Sequence, residues 1–74
     1  MIDIINPKVV DNIATADLKI HSGCCKTTLH VMAIYKDGVF SDVHNIDTGV
    51  SIYINVQNDL VKKWLEYVKE NKIN

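Results

Sequence analysis

The chain has 74 residues, 47% of them apolar and 23% charged, with a formal net charge of −1. That length predicts one domain, spanning residues 1–74, near the lower limit for a self-sufficient core, and two cysteines are too few for a secreted disulfide scaffold. All eight basic residues are lysine, so the planar guanidinium fork that reads guanine or grips phosphate is missing; with no basic block either, nucleic acid is not an expected partner.

"MIDIINPKVV" has no basic n-region, and no stretch nears the roughly 18 apolar residues of a spanning helix. A cytoplasmic protein without membrane association, its thiols reduced at rest, is the expectation. Asn6-Pro7 reads as a helix start, with Asn as N-cap and Pro at the first helical position. Val9, Val10, Ile13 and Ala14 would then share one face of a short N-terminal helix. Leu18 to His21 reads as a strand that stops at Ser22-Gly23.

Thr27 to Tyr35 alternates Leu29, Val31 and Ala33 with His30, Met32 and Ile34. Both sets are largely apolar, which predicts a central strand covered on each side. Asp37-Gly38 is a strong hairpin signal and makes "VFSDVHNI" the partner strand. "GVSIYINV" alternates most clearly, with Val50, Ile52, Ile54 and Val56 directed inward. Asn58 or Asp59 then caps a last helix whose apolar stripe is Leu60, Val61, Trp64, Leu65 and Val68. The predicted class is α+β: an N-terminal helix, about four to five mostly antiparallel or mixed strands, and a C-terminal amphipathic helix.

Both cysteines lie side by side in "KIHSGCCKTTLH", and three readings of Cys24 and Cys25 stay open. They are small buried apolar residues, a reactive thiol pair, or metal ligands. As a redox pair they would form a strained bridge. Consecutive Cα atoms are about 3.8 Å apart, below the roughly 4.4 Å lower limit of relaxed disulfides, so such a bond is easily reduced and suits a switch. Lys26 beside them would favour the thiolate, the reactive form. Zinc or an iron–sulfur cluster needs more ligands than two cysteines supply. A homodimer would bring four thiolates, or His21 and His30 would complete the set, although H-x₂-C-C-x₄-H matches no standard zinc spacing. His30, among apolar neighbours, is also expected as a core histidine with one nitrogen satisfied.

The "SGCC" segment, between a short strand and a long apolar one, resembles the HesB-like, iron–sulfur-assembly A-type carrier domain. "NIDTGVSIYINVQNDL" is similar to a later stretch of that family, and the resemblance covers about residues 7 to 60. The adjacent cysteines resemble a small branch with a Cys-Cys motif, some members of which carry selenocysteine at one of the two positions. The chain departs from the carriers in lacking a C-terminal Cys-Gly-Cys cluster and in having Lys26-Thr27 where glycine often follows the cysteines. The resemblance implies a small HesB-like domain with thiol-based redox or transfer chemistry and a protein thiol or cluster-transfer partner. Its alternatives are a homodimeric iron–sulfur or metal module and an interaction module with inert cysteines.

Overall fold

The computed structural model describes residues 2–73. Four strands follow one another, β1 (Ile2–Val10), β2 (Ile13–Ser22), β3 (Cys25–Lys36) and β4 (Val39–Asn45), and a single helix, α1 (Ile54–Glu70), closes the chain. The strands form one antiparallel sheet in sequential order. Each hairpin turns on two residues: 11–12, 23–24 and 37–38. Asp37 and Gly38 both take positive φ, 53° and 79°, as the type I′ turn requires.

The expected N-terminal helix is absent. Val9 pairs with Ala14 and Val10 with Ile13 across the β1–β2 turn. Apolar residues spaced evenly about a two-residue turn reproduce the three- and four-residue spacing of a helix face, and the turn-forming Asp11-Asn12 at their centre decides for the hairpin. Asn6-Pro7 marks a bulge in β1 instead of a helix start: the register shifts between Ile5 and Lys8, with Asn6 at φ 53°. The layout is therefore a four-stranded antiparallel meander with one C-terminal helix.

Two further expectations are corrected. "GVSIYINV" is not a strand: Ser51 forms only an isolated bridge with His44, and the helix already begins at Ile54. Val56, Leu60, Trp64 and Val68 follow each other at intervals of four, so the helical stripe extends N-terminally and overrides the alternation. Asn58 and Asp59 accordingly lie inside α1, whose N-cap position is Tyr53. The helix ends in a Schellman arrangement, Ile73 N–H donating to the Val68 carbonyl at 2.9 Å and Lys72 N–H to Lys69 at 3.4 Å.

The second correction concerns β3, which is central in the sheet yet covered on one face only. Ala14, Ala16, Leu18, Val31, Ala33, Tyr35 and Val43 turn inward and are buried with Leu60, Trp64 and Val68 of α1. Trp64 is fully buried in the same cluster as the small residues Ala14, Ala16 and Ala33. Its indole N–H donates to the Thr15 carbonyl at 2.9 Å. Tyr35, Phe40 and Trp64 stack in series, with centroids 4.6 and 5.4 Å apart. The opposite face carries Val10, Ile13 and Ile34 in the open. No helix among the described residues is long and apolar enough to cross a membrane.

Candidate functional site: a dithiol at a hairpin tip

β2 and β3 run past their neighbours. Among the described residues, β1 pairs with β2 only as far as Ile20, and β4 pairs with β3 only from Val31 onward. The remaining end of the β2–β3 hairpin projects, and every residue from Ser22 to Thr28 is exposed. Ser22 pairs with Cys25, leaving Gly23-Cys24 as the turn. Only Gly23 of these two takes positive φ, 59°, the pattern of a II′ hairpin turn with glycine at its first central position.

This turn places Cys24 at the apex and Cys25 at the first rung of β3. Both are free and exposed, so they are not the buried packing residues of the first reading. Their Sγ atoms are 3.8 Å apart. Adjacent residues of a regular strand point to opposite faces; the turn geometry at Cys24 breaks that alternation and brings the sulfurs together. Cys25 shares its face with Thr27 and Leu29, the face that α1 covers farther along the sheet.

The other expected site residues lie elsewhere. Lys26 pairs with His21 on the face opposite Cys25. His21 Nε2 is 3.2 Å from Asp3 Oδ2. His30 is exposed, not a core histidine, because its face of β3 is the open one; its Nδ1 is 2.8 Å from Asp17 Oδ1. That hydrogen bond, and then the charge of the same carboxylate, raise the His30 pKa above its ordinary value of 6.5. His44 Nδ1 donates to the Asp42 carbonyl at 2.6 Å. All three histidines thus occupy the open face, each beside an aspartate. Among the described residues no group of three or more His, Cys, Asp or Glu side chains is placed to hold a metal ion, and His21 and His30 do not join the thiols.

An apolar groove of about 250 Å³ lies on the covered face, between the body and the hairpin tip. Ile20 and Leu29 contribute to its lining, with Ile2, Ile52, Tyr53 and Val56 around them. It forms because α1 begins only at Ile54 and leaves this end of the inner face bare. The residues that precede α1 fold back along β4, with Ile52 N–H bonded to the Val43 carbonyl at 3.2 Å and Asn45 N–H to Val50 at 2.9 Å. The sequence gives no sign of this groove, since its parts come from five separate segments.

Comparison with family models, with curated proteins and with solved structures gives no match, and nothing in it identifies a HesB-like domain.

Proposed function

We propose that the chain is a thiol–disulfide exchange module with Cys24 and Cys25 as its reacting pair. The observation that carries this reading is the exposed pair of sulfurs 3.8 Å apart at the end of a projecting hairpin. No described residue buries them, so a second sulfur has access, and closing to the roughly 2.05 Å of a disulfide takes only local movement in the turn.

One thiolate attacks a sulfur of a low-mass disulfide such as glutathione disulfide. That S–S bond breaks, a mixed disulfide forms, and the displaced thiolate leaves and takes up a proton. The neighbouring thiolate then attacks the protein sulfur of the mixed disulfide and displaces the second thiol. The pair loses two electrons and two protons, and the low-mass disulfide gains them. The vicinal bond is strained by the short Cα separation, so the reverse reaction is favoured: the oxidised form readily accepts electrons from a partner dithiol.

The test is the intact mass of the native protein in excess glutathione disulfide. The wild type is expected to become lighter by two hydrogens within one chain, whereas Cys24→Ser and Cys25→Ser stop at a single glutathione adduct. Native protein whose thiols stay unmodified, or which forms only interchain disulfides, overturns the reading.

A further inference from the structure

Beside the thiols, β3 has an edge that no strand among the described residues occupies. Tyr35 N–H bonds toward β2, to the Asn12 carbonyl at 2.8 Å, and the His30 carbonyl accepts on the other side from Ile46 N–H at 2.8 Å. Backbone groups alternate sides along a strand, so Lys26 and Thr28 aim their N–H and C=O groups away from β2. Pairing with β4 starts only at Val31. Two rungs of unpaired ladder therefore lie between the dithiol at Cys25 and the apolar groove at Leu29.

We infer that this edge binds an extended, cysteine-bearing segment of a partner protein as an added strand, and that this segment delivers the sulfur with which the dithiol exchanges. The inference rests on the thiol-exchange reading above and supplies its substrate class. An added strand satisfies the free groups of Lys26 and Thr28, and its spacing follows from strand geometry. Side chains directly opposite one another share a face. A residue opposite Leu29 enters the groove, and the residue opposite Cys25 lies four positions away along the same strand. Its Cα is then about 4.5–5.5 Å from that of Cys25 in an antiparallel pair, within the span of an unstrained disulfide. The occupant thus has a cysteine and a large apolar residue four apart. A spacing of three turns the apolar side chain to the opposite face.

A second copy of the chain is a poorer occupant. Two such edges related by a two-fold axis pair about Thr27, which sets Cys25 opposite Leu29 of the other copy and keeps the two dithiols apart.

The probes are nine-residue peptides of serine and threonine carrying one cysteine as a mixed disulfide with 2-thiopyridine. Leucine stands four residues away, three residues away, or is replaced by serine. The Cys25 thiolate attacks the peptide sulfur, the peptide-to-thiopyridine S–S bond breaks, and released thiopyridone is followed by absorbance. The four-residue peptide is expected to react about tenfold faster than the other two, the factor that burial of one leucine side chain supplies. Tyr53→Ala, at a residue 86% exposed on the groove wall, should remove most of that advantage without unfolding the chain. Free dipyridyl disulfide should react equally with both proteins. Equal rates for all three peptides, with dipyridyl disulfide still reacting, overturn the docking inference and leave the thiol reading intact. No reaction with dipyridyl disulfide in the native protein overturns both. A dimer that no peptide displaces gives the edge to a second copy and also overturns the assignment.

Discussion

The Asp17 carboxylate beside His30 makes a prediction at the scale of a single residue. The hydrogen bond and the charge both favour the imidazolium, so the folded state holds this proton more tightly than the unfolded chain. The sign of the linkage follows. The contribution to stability is fully present below about 6.5 and is lost as pH rises through the raised folded value. A proton NMR titration should place the His30 midpoint above 6.5, and Asp17→Asn should return it toward that value. An unchanged midpoint in Asp17→Asn would show that the carboxylate does not act on the ring. Both side chains are partly exposed, 55% and 34%, so solvent screens the pair and any effect on stability is small. Protonation here reports on the open face and not on the dithiol, because Cys25 and His30 lie on opposite faces of β3.

At the scale of elements, Trp64 joins helix to sheet. Its ring is buried in one cluster with the three alanines, and its N–H satisfies a Thr15 carbonyl. Trp64→Phe keeps an aromatic ring for the Phe40 stack but loses the hydrogen bond and part of the volume. Loss of the bond costs about 1 kcal/mol, and the smaller ring brings the expected total to about 1–3 kcal/mol, measured by denaturant unfolding. A change below about 0.5 kcal/mol would mean that the bond is replaced by water or that the ring does not set the helix position. The helix stripe and the Asp37-Gly38 hairpin are legible in the sequence because each depends on residues within one turn or one loop. The dithiol turn is legible for the same reason, through Gly23. The N-terminal hairpin is not, since the pattern of Val9, Val10, Ile13 and Ala14 fits both a helix face and cross-strand pairs. The His30–Asp17 contact lies between these cases. Both residues are equally distant from the Gly23-Cys24 turn, so recognising that turn as two residues long fixes their pairing; reading Ser22-Gly23 only as a strand end leaves it hidden.

At the scale of the whole molecule, one helix covers one face of one sheet, and the consequence is a division of labour between the two faces. Twelve residues of β3 at about 3.3 Å each span about 40 Å, the long dimension of the molecule, 40 Å; the core occupies the end of this length that α1 reaches. A chain of this size is stable by about 4–11 kcal/mol. Leu60, fully buried on the inner face of α1, should therefore be indispensable: Leu60→Ala is expected to cost about 2–5 kcal/mol, a large share of that total. Ile34, 39% exposed on the other face, sits on the same central strand as Val31 and Ala33 yet packs against no second layer. Ile34→Thr keeps the β-branched shape that suits a strand and should change stability by no more than about 0.5 kcal/mol. Measuring both variants at two protein concentrations tenfold apart makes the comparison decisive. If Ile34→Thr costs as much as Leu60→Ala, and more at the higher concentration, the open face is buried against a second copy and the single-layer account of stability fails. A large loss confined to Leu60→Ala, independent of concentration, makes the α1 side the sole core and leaves the hairpin tip as an arm extending beyond it.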